Sequence, residues 1–273
     1  MTQDWKTYKD LDPSHLYVLP LGVGNAFTGR YFHSSFVLIA GGELVLVDAP
    51  APLRRMIHDA SERAGVAFDA MMIDHLLLTH LHGDHCNGVE EFAYVKKYLD
   101  DGRRPHLYLL PELLVPLWEH RLYAAMGGKN EATGEDRSLA DYFQPHRIHP
   151  GTPQRLVNGP PLTVEFRRTK HSLPCAAMKF HYGRISLGYS ADTPYDQGLV
   201  DWLSDCDLII HEAAEDEAAA IHTPLSQLER LPDELKSRIR LIHYGDDLGQ
   251  EDTSMRLLRE GELIELAPAA ARA

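Results

Sequence analysis

Cysteine is scarce in this chain. Its 273 residues hold three, Cys86, Cys175 and Cys206, with no CxxC pair and one necessarily left over. That excludes a disulfide framework and makes a reducing cytoplasm the expected compartment. Basic residues are also short, 27 Lys and Arg against 40 Asp and Glu, for a formal charge of −13. A chain of that sign is poorly suited to a polyanion gripped through its phosphates, so long nucleic acid is not expected as a partner. Long apolar runs are missing too. The longest, Leu107 to Trp118, is broken by Pro111, Glu112 and Pro116 and falls short of the roughly 20 residues that span a bilayer, so no membrane partner is expected. The opening residues, Met1-Thr2-Gln3-Asp4-Trp5-Lys6, carry neither a basic n-region nor an apolar h-region, and no secretory signal is read there.

What is abundant is histidine, at 16 residues, and many of these close apolar runs instead of lying in polar loops. The first half opens with apolar segments at 15–21, 34–40 and 43–48, the last two joined by Gly41-Gly42, a dipeptide suited to a two-residue hairpin. A helix is predicted from Pro52 to about Arg63, with Leu53, Met56, Ile57 and Ala60 at helical spacing and Gly65 as its stop. The apolar run His75-Leu76-Leu77-Leu78-Thr79 suits a buried strand. A helix over 89–99, a strand over 105–110 and helical sequence over 112–126 follow. Residues 127–160 read as an insertion or lid, with Gly127-Gly128, a short apolar patch at 139–143 and a Pro/Gly-rich passage that includes Gly159 and Pro160. The strand pattern then restarts at 162–170, 177–182 and 184–189, followed by a helix at 197–203 and strands at 207–210 and 240–243. Both halves place strands before helices, which predicts an α+β fold of two sheets packed face to face with helices outside. No low-complexity linker divides the chain. One domain over 1–273, with a helical insertion at about 111–150, is the expected organisation.

The chemistry-bearing cluster follows the 75–79 strand directly. His80, His82, Asp84 and His85 lie within six residues, and imidazole with carboxylate is a donor set for Zn, Mn or Fe. The run Thr79-His80-Leu81-His82-Gly83-Asp84-His85 resembles the HxHxDH motif of the metallo-β-lactamase superfamily. The resemblance extends over most of the chain, through Ser34-Ser35-Phe36, Asp48, His171, Tyr189-Ser190-Ala191-Asp192-Thr193, Ile210-His211-Glu212-Ala213 and Leu241-Ile242-His243-Tyr244. It implies a four-layer αββα sandwich with two divalent metals, zinc foremost, at the edge of the sheets. Carried over by position, His80, His82 and His171 would hold one metal and Asp84, His85 and His243 the other, with Asp192 bridging. Two divalent ions outweigh two carboxylates in such a site, which suits an anionic phosphate, and a hydroxide between them becomes a nucleophile at neutral pH.

Asp48 reads equally as a turn residue before Ala49-Pro50 or as a carboxylate orienting a metal-bound His. Cys86 reads as a small buried residue. Trp118, Tyr123, Tyr142 and Phe143 read as packing, with a pocket wall or a homodimer contact as their alternative use. Tyr244, beside His243, is a candidate neighbour for substrate. His211-Glu212-Ala213-Ala214 and His222-Thr223-Pro224 resemble segments that RNase Z-like phosphodiesterases place beside their metals, though both depart from that pattern at their ends. By that resemblance His222 protonates the leaving oxygen or clamps the phosphate and Glu212 orients it, unless His222 merely caps the helix after Pro224.

RNase Z carries a long tRNA-gripping arm between the segments matched by His171 and Asp192. Here they are 21 residues apart, room for two short strands and a turn. The expected activity is therefore hydrolysis of a small or cyclic phosphodiester. A carbonyl hydrolase acting on lactones, thioesters or β-lactams, an RNA-processing nuclease and a non-enzymatic metal-binding scaffold are the alternatives.

Overall fold

The computed structural model describes residues 5–157, 161–215 and 220–268. Residues 1–4 of the N-terminal reading, and Gly159 and Pro160 of the Pro/Gly-rich passage, lie outside them.

Hairpin geometry starts the first sheet. Gly41 and Gly42 adopt φ of 59° and 78°, the left-handed pair a two-residue hairpin needs, and they fold Ser35–Ala40 antiparallel onto Glu43–Val47. Leu16–Gly22 pairs on the other side. From Glu43–Val47 outward the pairing turns parallel, to His75–Leu77, His106–Leu109 and Gln144–Arg147. Ile264–Leu266 returns near the C-terminus to close the far edge, making seven strands.

The second sheet repeats the plan. Leu162–Arg168, Ala176–Tyr182 and Ile185–Tyr189 form an antiparallel meander. Leu208–Glu212, Ile239–Ile242 and Arg256–Leu257 then add in parallel. Phe36 of one sheet meets Tyr189 of the other edge-on, ring centroids 5.0 Å apart. Parallel connections require crossovers, supplied by helices such as Leu53–Ala64, which buries Leu53, Met56, Ile57 and Ala60 and stops at left-handed Gly65.

Parallel halves matter for function because all their carboxyl ends face one rim, where ligands bind in open α/β sheets. Every candidate ligand segment lies just beyond such an end, or beyond the end of Leu162–Arg168.

The segment read as a lid differs from expectation. Gln144–Arg147 is an edge strand paired with His106–Leu109, and Gln154–Arg155 pairs onto Leu162–Arg168. Leu139, Tyr142 and Phe143 are buried between them and the core. The sequence Gln-Pro-His-Arg has no apolar alternation, and Pro145 is tolerated because an edge strand can spare its N–H. The helical stretch comprises a 3-10 turn, a π-helix over Pro116–Leu122 and one α-turn, Tyr123–Met126. Trp118 is buried there, whereas Tyr123 is exposed.

Candidate metal centre

His80 and His82 occupy the extended segment after His75–Leu77, and a single helical turn, Gly83–Cys86, then swings Asp84 and His85 to the far side. His171 comes from the loop after Leu162–Arg168, Asp192 from the one after Ile185–Tyr189 and His243 from the one after Ile239–Ile242. Among the described residues, four outside glycine have positive φ, and three of them are here: Asp48 at 58°, Ala191 at 49° and His243 at 62°. Left-handed backbone costs about 1–3 kcal/mol at a non-glycine residue and persists only where its surroundings enforce it.

Two groups of donors result. His80 Nε2 and His171 Nε2 lie 3.0 Å and 2.9 Å from His82 Nδ1, and Asp192 Oδ2 is 3.7 Å and 3.9 Å from the first two. On the other side Asp84 Oδ2 is 3.1 Å from His243 Nε2 and 3.4 Å from His85 Nε2. Asp192 reaches this group as well, Oδ1 at 3.5 Å from His85 and Oδ2 at 3.5 Å from His243. One carboxylate thus stands between two clusters.

These residues fit divalent ions. His85 Nε2 and Asp192 Oδ1 are buried and have no hydrogen-bond partner, although both are strongly polar and only 3.5 Å apart. Two buried lone pairs facing each other require a cation or a proton between them. The titration pattern carries the same message. Burial would lower the His85 and His243 pKa values, but Asp192 outweighs it and both are raised. Asp84 and Asp192 are held well below the carboxylate range by these imidazoles, against burial. Burial and the nearby His85 keep His80 well below its usual value, ready as a neutral ligand. Metal binding replaces the protons that the carboxylates would otherwise hold here.

A second set of residues fixes the ligands. Asp48 Oδ2 is 2.9 Å from His85 Nδ1, its Oδ1 accepts the Thr79 N–H at 2.8 Å, and the Thr79 hydroxyl lies 2.9 Å from His80 Nδ1. With the outer nitrogens engaged, Nε2 of both rings points inward. Burial pushes the Asp48 carboxyl up, and His85 and Thr79 pull it down. Arg121, on the π-helix, donates to the Leu81 carbonyl at 2.8 Å and to Asn87 Oδ1 at 2.5 Å, holding both ends of the ligand loop.

Beside the clusters stands His222. Its Nδ1 is 2.9 Å from Glu212 Oε2, and its ring stacks on His243 at 5.0 Å. Glu212 also accepts the Thr193 N–H; burial and the Asp192 charge raise its pKa. Asp192, Glu212, His222 and His243 form a third gathering of donor atoms. His222 makes no cap, since the helix Leu225–Glu229 begins from Pro224 without a side-chain cap bond.

Other expectations fall outside the site. Tyr244 does not face substrate, because the ring is buried and its hydroxyl donates to the Leu258 carbonyl at 2.6 Å. His211 is buried beside the Glu212 carbonyl, its pKa lowered to about 4 by burial. Cys86 is buried, and burial pushes its thiol up to about 11.

Arg121 and His33 went unmarked in the sequence. His33 is half-buried, and its pKa is lowered first by burial and then by the balance of Asp84, His85 and His243 around it. Its one signal is its position at the head of the apolar run 34–40.

Comparison with known proteins agrees with this architecture. Residues 16–264 match the family model for Anti-Pycsar protein Apyc1. The protein of that name from Paenibacillus sp. (strain J14) is 34% identical over 252 residues, covering 90% of this chain and 97% of the relative. The one from Saccharibacillus brassicae is 36% identical over 239 residues, covering 84% and 90%. Among solved structures, the metallo-β-lactamase fold protein YhfI from Bacillus subtilis superposes with a TM-score of 0.69 at 17% identity, covering 92% of this chain and 99% of that one. A diphosphatase of the PhnP family gives 0.70 at 17% identity, covering 93% and 98%. The fold is therefore the metallo-β-lactamase α+β sandwich, and the chain belongs to the Anti-Pycsar protein Apyc1 family.

Proposed function

We propose that this chain is a dinuclear metal phosphodiesterase that opens a small cyclic phosphodiester, a cyclic nucleotide. The observation that carries the reading is Asp192 set between two donor clusters with the Glu212–His222 pair against it. His80, His82, His171 and Asp192 would hold one divalent ion, and Asp84, His85, His243 and Asp192 a second, with zinc suited to the donor set and manganese or iron also accepted. Bound there, the ions would supply Lewis acidity and an acidified water.

The chain's own groups do the rest. Water oxygen bonds to phosphorus, the bond from phosphorus to the leaving oxygen breaks, and His222 delivers a proton to that departing oxygen. Glu212 holds Nδ1 of the ring, leaving Nε2 for the transfer. Asp48 and Thr79 keep His85 and His80 in the ligating tautomer.

Small substrate size is supported by the segment between His171 and Asp192, which is filled by the strands Ala176–Tyr182 and Ile185–Tyr189 and leaves no arm for a polynucleotide. No helix among the described residues is long and apolar enough to cross a membrane. Three buried free cysteines suit a reducing cytoplasm. Exposed Val115 and Tyr123 are the candidate contact for a homodimer.

The test is metal-dependent turnover of cyclic nucleotides and bis(p-nitrophenyl) phosphate beside an activated lactone and a β-lactam, with Asp84→Ala as the blank. Turnover confined to the phosphodiesters is expected. Turnover of the carbonyl substrates alone would overturn the reading.

A further inference from the structure

At the rim opposite the metal centre the edge strands of the two sheets part. Gln144–Arg147 belongs to one sheet and Gln154–Arg155 to the other, and both line a cavity of about 550 Å³. That volume lies within the range of small-molecule sites. No catalytic residue reaches it.

Ring side chains from three adjacent strands form its floor. His75 and His106 pair in register and stack 5.0 Å apart at 14°. Tyr108 and His146, also in register, stack at 4.6 Å and 15°. His106 Nδ1 and His146 Nε2 are 2.8 Å apart and tie the two stacks together. Burial and the neighbouring His106 push His75 down to about 4 and also lower His146, so the floor is a set of neutral planar rings.

Positive charge stands at the mouth instead. Arg103 and Arg104 precede the His106–Leu109 strand and are exposed. Arg104 is held by a 2.8 Å hydrogen bond to the Ala140 carbonyl. Of the acidic residues in the lining, Asp74 is engaged by Lys96 at 2.8 Å, and Glu43 is the other. In a chain of charge −13, paired arginines over an aromatic floor are a local reversal of sign.

We propose that this cavity binds a phosphomonoester carrying a planar ring, a nucleoside monophosphate in chemical class, with its phosphate on Arg103 and Arg104 and its base against the His/Tyr floor. Guanidinium groups match phosphate oxygens in geometry and charge, and a flat heteroaromatic ring gains from stacking on imidazole and phenol faces. The site is independent of the chemistry at the metal centre. It is also connected to it, because His75 begins the strand that leads into His80, five residues and about 16 Å along an extended chain. Occupancy at one rim therefore bears on the strand that presents the ligands at the other.

The experiment is imidazole NMR on the metal-loaded protein, with His106 and His146 assigned through His106→Gln and His146→Gln, titrated with adenosine 5′-monophosphate, adenosine and inorganic phosphate separately. The expected result is a saturable shift of both rings by the monophosphate, with adenosine and phosphate each weaker. An Arg103→Ala/Arg104→Ala double variant, altered only at exposed positions, should need about tenfold more ligand, the loss of one charge-assisted contact, and should keep its unliganded turnover. No shift at millimolar monophosphate, or an identical titration in the double variant, would overturn the site. Adenosine equal to the monophosphate would overturn the phosphate contact, and phosphate equal to it would overturn the stacking. Loss of cyclic-nucleotide turnover is a separate readout, so this proposal and the catalytic reading fail separately.

Discussion

Replacing His222 by Ala separates a proton donor from a binding group. Its Nδ1 is occupied by Glu212 Oε2 at 2.9 Å, so a single nitrogen, Nε2, is left to serve the substrate. The ring is about one-quarter exposed, against 1% for Glu212, and is the member of the pair a substrate can reach. Proton delivery by a positioned imidazole is worth roughly 10²–10⁴ in rate, about 3–5 kcal/mol of barrier. That loss should appear in full for a cyclic nucleotide, whose departing oxygen is an alkoxide. It should fall to less than about tenfold for bis(p-nitrophenyl) phosphate, whose phenolate departs without a proton. Steady-state kinetics on both substrates, with metal content measured on the same samples, checks this. Glu212, its pKa already raised by burial, can stay neutral once the ring is gone, so the fold should survive. Equal losses on the two substrates would refute acid catalysis. Loss of a metal equivalent would make His222 a ligand instead, in keeping with its place in a gathering with Asp192 and His243.

Asp48→Ala removes the acceptor of the Thr79 N–H and the partner of His85 Nδ1; metal affinity should fall roughly 10- to 100-fold, measured by competition with a chelator. Arg121→Ala frees the Leu81 carbonyl and Asn87; with the ligand loop released, kcat should fall more than KM rises, and Arg121→Lys should restore part of it. His75 has its folded pKa lowered to about 4 from 6.5. The unfolded chain therefore takes up the proton first as pH falls. Stability from this group is full above about pH 6.5 and is lost progressively towards pH 4, by up to about 3 kcal/mol. His75→Gln should flatten that part of the urea-unfolding profile, and an unchanged slope would refute the assignment.

The strands leading to the ligands were legible because a strand buried on both faces is written as an unbroken apolar run, and a polar residue at its end then stands out. His80, His171, Asp192 and His243 were readable in that way. Gln144–Arg147 was not, since an exposed edge strand with a proline carries no alternation. Tyr244 misled because its neighbour His243 has a left-handed backbone, and the hydroxyl of the next ring turns inward to Leu258. Arg121 and His33 act across long sequence separations, 40 residues from Leu81 in the first case, and no local pattern announces such contacts. The His75–His106–His146 stack was invisible for the same reason, being created by register between strands.

The most direct measurement is metal content and cyclic-nucleotide turnover of Asp84→Ala beside the unaltered protein. Asp84 is 3.1 Å from His243 and 3.4 Å from His85 and lies outside the His80–His82–His171 group. One metal equivalent of two should be lost, with turnover reduced by about 10³ or more and the folded structure retained. Wild-type turnover in a protein holding a single metal would contradict the two-metal account.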